Sequence, residues 1–150
     1  MIDELDKRIL DELQKDARIS NAELARRVNL SPPATHARVK RLFEKDFIHR
    51  YVALLDRQRA GYDLLCFVRV SLQLHDLDQV TGFHEAVRKM PEVLECHHVT
   101  GDYDYLRKVV AHNTDDLENF LGTRWTPIPG VAQIHTRLVF RDVKNAAILP

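Results

Sequence analysis

Two cysteines in 150 residues are too few for a disulfide framework or a structural zinc site, so Cys66 and Cys96 are expected as reduced, buried thiols. Long apolar runs are also missing: the longest stretch without a charge or polar group, Leu64 to Val68, falls far short of the roughly 20 residues a membrane span needs. The acidic start Met1-Ile2-Asp3-Glu4 is unlike a secretory leader, which points to the cytoplasm and away from any membrane. With only 5 glycines and 6 prolines and no low-complexity tract, collagenous and disordered chains are excluded. Net charge is absent as well, 22 basic against 22 acidic side chains, which at first argues against a nucleic-acid partner. What is there, 45% hydrophobic and 29% charged residues, describes a globular chain long enough for one ordinary domain or two small ones.

The charge is unevenly placed. Residues 18–50 hold Arg18, Arg26, Arg27, Arg38, Lys40, Arg41, Lys45 and Arg50 against Glu23, Glu44 and Asp46 alone, whereas residues 51–150 are mildly acidic. Over the first fifty residues the periodicity is helical. Ile2, Leu5, Ile9, Leu10 and Leu13 predict a helix over 3–15, with Asp3, Glu4 and Asp6 suited to its positive N-terminal end. Ser20-Asn21-Ala22-Glu23 has the capping-box form and opens a short helix to Val28, and Asn29 tolerates the left-handed conformation that ends one. Ser31-Pro32 then supplies an N-cap and an N1 proline for a third helix to about Lys45. Two short helices joined by a tight turn, the second of them basic, form a helix-turn-helix whose later helix enters the major groove of double-stranded DNA. Thr35, Val39, Leu42 and Phe43 share one face and should pack inward. The candidate DNA contacts are Ser31 at the helix start, the early residues Pro33, Ala34, His36 and Ala37, and the cations Arg38, Lys40 and Arg41. A basic face of this kind is also what a merely solvated helix shows; the two caps and the three-helix frame favour the DNA reading.

The remainder reads as strand and helix in alternation. Tyr51 to Leu55 predicts a strand leaving the first domain, followed by a turn at Ala60-Gly61. Cys66, Val68, Val70, Leu72 and Leu74 alternate with Phe67, Arg69, Ser71 and Gln73 as in a half-buried strand. A helix over 78–90, a strand over 93–100, a turn at Gly101-Asp102-Tyr103-Asp104, a strand over 105–112, a helix from Thr114, a break at Pro127 to Gly130 and a strand over 131–140 follow. The fold class is therefore α+β: an N-terminal helix-turn-helix, winged-helix-like, plus a C-terminal ferredoxin-like βαββαβ domain. The boundaries expected are 1–50 for DNA binding, 51–63 for a hinge strand and linker, and 64–150 for effector binding and oligomerisation. In the last strand Val131 and Val139 fall on one side and Ala132, Ile134, Leu138 and Phe140 on the other. Apolar residues on both sides argue for burial of the uncovered sheet face against a second copy, a symmetric dimer presenting two recognition helices.

Together these residues resemble a known family, the leucine-responsive/asparagine-responsive (Lrp/AsnC) feast-or-famine regulators, over essentially the whole length. The similar stretches are Leu5-Asp6-Lys7-Arg8-Ile9-Leu10, Leu13-Gln14-Lys15-Asp16, Arg18 to Ala25, Leu30-Ser31-Pro32, Arg38 to Leu42, Tyr51 to Asp56, Pro91 to His97, Val99 to Leu106 and Pro129-Gly130-Val131. The resemblance implies a dimer closed through the C-terminal domains, larger rings up to an octamer, and a free amino acid bound as effector. Carried over, the effector pocket comprises Val99, Thr100, Gly101, Asp102, Tyr103 and Asp104, joined by Pro129, Gly130, Val131 and Thr136. The chemistry agrees: Asp102 or Asp104 can accept from an ammonium, and a Thr100-Gly101 turn offers backbone N–H groups to a carboxylate. By residue type alone, Gly101 to Asp104 is equally a good hairpin turn. The chain departs from the family in Asp46 before Phe47 and in Asn29, both common glycine positions, in Pro32-Pro33, and in Trp125-Thr126-Pro127.

An enzyme would have to use Cys96, His97, His98, His112 and His135. Because Cys96, His97 and His98 are consecutive in a strand they point to alternating faces and do not converge on one ion, and no nucleophile elbow, P-loop or dinucleotide fingerprint is present. The expectation is no catalytic residue, no metal, no cofactor beyond the amino-acid effector, and a sequence-specific transcription regulator. The alternative is an architectural DNA-binding protein without an effector.

Overall fold

The computed structural model describes residues 1–73, 76–125, 127–146 and 148–150, in two compact units: 1–54 with 144–150, and 55–143. In the first unit, α1 (Glu4–Lys15), α2 (Asn21–Val28) and α3 (Pro32–Glu44) enclose Ile9, Leu13, Leu24, Val28 and Leu42. Each helix begins where a side chain can accept from its free N–H groups. Asp3 caps α1, Ser20 Oγ accepts from Glu23 N–H at 3.1 Å, and Ser31 Oγ accepts from Ala34 N–H at 3.3 Å. Pro32 and Pro33 occupy N1 and N2 of α3, where no intrahelical N–H is lost. The C-termini use left-handed residues, Asn29 (φ 57°) after α2 and Asp46 (φ 60°) after α3, with Leu30 N–H returning to Ala25 O and Phe47 N–H to Leu42 O.

The reciprocal capping box stands at a different helix from the one expected. Glu23 does not reach back to Ser20. Its carboxylate instead accepts from Arg26 (2.7 and 2.8 Å) and Arg27 (2.9 Å), which hold it down at about 2. The full box belongs to α1, where Asp3 and Asp6 exchange side-chain-to-backbone bonds.

In the second unit an antiparallel sheet of order β2-β3-β1-β4 carries α4 (Leu77–Arg88) and α5 (Thr114–Phe120) on one face. Its strands are β1 (Leu64–Leu72), β2 (Val93–His98), β3 (Tyr105–Ala111) and β4 (Val131–Leu138). A π-helical turn, Leu121–Trp125, continues α5 and delivers Trp125 into the core beside Phe83 and Phe120. Cys66, Val68, Val70 and Leu72 of β1 face the helices, as the alternation predicts; Leu74, expected to extend that strand, lies outside the described residues, as does Thr126.

Two expectations are corrected. Residues 51–55 form no strand, since an extended segment needs a neighbouring edge for its N–H and C=O groups and no backbone ladder to this one occurs among the described residues. The two faces of β4 also differ from the simple alternation. A register shift at Ser71/Leu72 sets Val131 opposite Leu72, so Val131, Ile134, Thr136 and Leu138 all lie on the helix side, and the free face receives Gln133, His135 and Arg137. The apolar side chains on that face come from β1 and β3, chiefly Phe67, Leu106 and the buried Val110.

Candidate DNA interface and effector loop

The N-terminal unit presents α3 through a clamp that was not foreseen. Asp6 on α1 is 1% exposed, yet it accepts from Arg38 Nη1 at 2.8 Å and from Arg41 Nη2 at 2.6 Å, while Arg38 also bridges to Asp3 at 2.7 Å. Two guanidinium groups on one buried carboxylate fix the rotation of α3 against α1, and neither partner can leave without exposing a desolvated charge. Asp3 is thereby held below the usual carboxylate range, first by its bond from Arg38. The signal lay in the sequence as an acidic residue one turn into an amphipathic helix, but the helix dipole alone accounts for such a residue. The structure brings the N-cap Ser31 and Pro33, Ala34, His36, Ala37, Lys40 and Arg41 of α3 together as exposed residues. It sets Arg38 apart: its side chain is only 24% exposed and is spent on Asp3 and Asp6. Asn21 Nδ2 donates to Pro32 O at 2.9 Å and ties the starts of α2 and α3 together.

In the C-terminal unit the loop 99–104 joins β2 to β3. Val99 N–H donates to Asp104 O, Asp104 N–H donates to Val70 O, and Asp104 Oδ2 accepts from Leu72 N–H at 2.8 Å. Gln73 N–H donates to Gly130 O at 2.7 Å, so the end of β1 is held between this loop and the 129–131 turn. Gly101 (φ 120°) and Gly130 (φ 87°) occupy conformations that L side chains rarely adopt, and a Cβ on Gly130 would collide with the Gln79 side chain. Asp102, by contrast, is 80% exposed, paired with Arg69 Nη2 at 2.7 Å, and the Arg69 guanidinium lies 4.1 Å from the centroid of the Tyr103 ring. Arg69 was not singled out in the sequence, because its place in the alternation marks only the outer face of a strand. Thr136 is not brought to this loop: it sits opposite Val68, five residues along β4 from Val131, or about 16 Å of strand, and lines a cleft with Leu117, Leu121 and Gly122.

The histidines and cysteines that an enzyme would have to use do not converge as a set. Cys96 and His98 face the helices and His97 the other side, and no group of three or more metal-ligating side chains occurs among the described residues. No helix is long and apolar enough to cross a membrane.

A capped three-helix unit with an exposed recognition helix, followed by a βαββαβ unit with a charged loop, defines a class: helix-turn-helix transcription regulators carrying a ligand-binding domain. Residues 2–42 match the AsnC-type helix-turn-helix domain and residues 65–149 the Lrp/AsnC ligand binding domain. The leucine-responsive regulatory protein of Escherichia coli strain K12 is 41% identical over 145 residues, covering 97% of this chain and 88% of that protein. Among solved structures, a Neisseria meningitidis transcriptional regulator in complex with L-Met is similar at TM-score 0.96 and 33% identity, covering 100% of this chain and 97% of that one. Escherichia coli AsnC is similar at TM-score 0.91 and 28% identity, covering 100% and 99%. The chain belongs to the Lrp/AsnC family of transcription regulators, whose members bind DNA and are not enzymes.

Proposed function

We propose that this regulator reads DNA with α3, through Ser31, Pro33, Ala34, His36, Ala37, Lys40 and Arg41, with Arg38 positioning the helix. Its DNA binding or assembly responds to a free amino acid held at Val99 to Asp104 and Pro129 to Val131. The observation that carries the effector reading is the ion pair between exposed Asp102 of that loop and half-buried Arg69 of β1, 2.7 Å apart. An amino-acid zwitterion presents the same two charges in reverse, so it can exchange into the pair, its ammonium on Asp102 and its carboxylate on Arg69 or on N–H groups of the Thr100-Gly101 turn. Asp104 supports the loop through Leu72, which leaves Asp102 as the displaceable carboxylate. The L-Met complex of the Neisseria relative supports the same class of ligand. The protein works in the cytoplasm as a dimer or larger ring. The exposed apolar side chains of the unpaired segment, Tyr51, Val52, Leu54 (76%) and Leu55 (77%), support that self-association.

A thermal-shift screen against the twenty amino acids tests the effector. A ligand at 100 times its Kd adds about 2.7 kcal/mol to native stability, so one or a few related amino acids should raise the unfolding midpoint, and Asp102→Ala should abolish the rise while sparing DNA binding. No response to any amino acid would favour an architectural, effector-independent DNA-binding protein.

A further inference from the structure

The interior of the second unit contains a charge with no counter-charge among the described residues. Arg107 of β3 is 0% exposed, and its Nε, Nη1 and Nη2 find no acceptor among the described residues. Its guanidinium rests on the Trp125 ring, 3.1 Å from the centroid, a contact that offsets part of the lost hydration but supplies no negative charge. The β2–β3 register places Cys96 directly opposite Arg107, on the same helix-facing side. Cys96 in turn lines a cavity of about 220 Å³ between α4 and the β2–β3 pair, together with His84, Val87, Arg88, His98 and Tyr105.

Every polar group in that lining is a cation, a proton donor or an imidazole, and none is a carboxylate. His84 Nε2 is bonded to Tyr105 Oη at 2.8 Å, and the His98 ring stacks on Tyr105 with centroids 4.8 Å apart. Arg88 is in no ion pair among the described residues. The C-terminus of α4 accounts for one basic residue in its last turn. It does not account for an arginine and two histidines around one cavity with a desolvated guanidinium behind its wall. A concave site whose one fixed charge is positive, and whose other polar groups can donate hydrogen bonds, favours an anion over a cation.

We propose that this cavity binds a small oxyanion, carboxylate or phosphate, between Arg88, His84 and His98, and that the bound anion provides the counter-charge Arg107 lacks. The cavity contains no residue of the 99–104 loop, although His98 and Tyr105 flank that loop, and the proposal does not depend on the amino-acid reading of the loop.

The test is thermal unfolding of the full chain in inorganic phosphate or in succinate, each matched in ionic strength by sodium chloride. The wild type should show a midpoint that rises with one anion, saturates in the millimolar range and exceeds the chloride control; which of the two saturates at lower concentration tells phosphate from carboxylate. Arg88→Ala combined with His98→Gln, both at exposed positions, should lose the saturating rise. Arg107→Leu should raise the midpoint without any anion and weaken the anion response several-fold. Equal responses to chloride and both oxyanions in the wild type, or an undiminished response in the double variant, would overturn the proposal and leave general salt stabilisation.

Discussion

Asp46 occupies a left-handed conformation, φ 60°, that costs an ordinary L residue roughly 1 kcal/mol and glycine almost nothing. Asp46→Gly should therefore stabilise the N-terminal unit by about 1 kcal/mol, readable as a higher urea midpoint at unchanged slope; a loss of stability would mean the Asp46 side chain holds the turn in some other way. Asp6 works in the opposite sense. Asp6→Asn keeps the shape of the side chain but leaves Arg38 and Arg41 facing a neutral amide, and removing one partner of a buried pair costs about 3 kcal/mol, less here because Arg41 is 44% exposed. Chemical denaturation should show a loss of about 2 kcal/mol, and a change under 0.5 kcal/mol would remove the clamp from the account. Residues of this kind were half legible. Asn29 as a left-handed cap follows from its own side chain, whereas the role of Asp6 depends on arginines more than thirty positions away.

The recognition helix α3 shows how one element divides its charges. Lys40 is exposed and, among the described residues, pairs only with Glu44 at 3.7 Å, one turn on, so it can turn to meet a phosphate. Lys40→Ala should weaken binding uniformly across DNA sequences and reduce the salt slope by about 1, with folding stability unchanged. Arg38→Ala should weaken DNA binding together with folding stability, since it strips Asp6 of a partner. Measuring both quantities on both variants separates contact from positioning; an Arg38→Ala protein of full stability and weak binding would return Arg38 to the groove. Among the strands, period-two patterning located β1 to β4 to within about two residues. It misassigned the faces of β4 because a bulge adds a residue on one strand that no local pattern reveals.

At the scale of the molecule two cores coexist, one around Ile9, Leu24 and Leu42 and one around Val68, Phe83 and Trp125. Acid should distinguish them. Asp3, Glu12 and Glu23 of the first unit are all held below their ordinary values by arginine hydrogen bonds, Glu23 down from 4.5 to about 2. Groups with depressed folded values add stability above the unfolded value and lose it as pH falls toward the folded one, so the helix-turn-helix weakens between about pH 4.5 and 2. Each of these pairs is exposed and screened, so the effect is cumulative and shrinks at high salt. The single tryptophan, Trp125, reports on the second unit alone. Helical circular dichroism should therefore fall at higher pH than tryptophan fluorescence changes. Coincident transitions would show that both units unfold together.

By itself the sequence determined the α+β class, the three capped helices, the βαββαβ order and the family, because caps, periodicity and turn residues act over a few neighbouring positions. Only the tertiary structure decided which carboxylate meets which arginine, which face of β4 turns inward, that Tyr51 to Leu55 join no strand among the described residues and that Arg107 lies against Trp125 without a described acceptor. Those outcomes depend on register and on packing between residues far apart in the chain, where alternatives with the same local pattern differ by the desolvation of a single charge or the slip of a single residue.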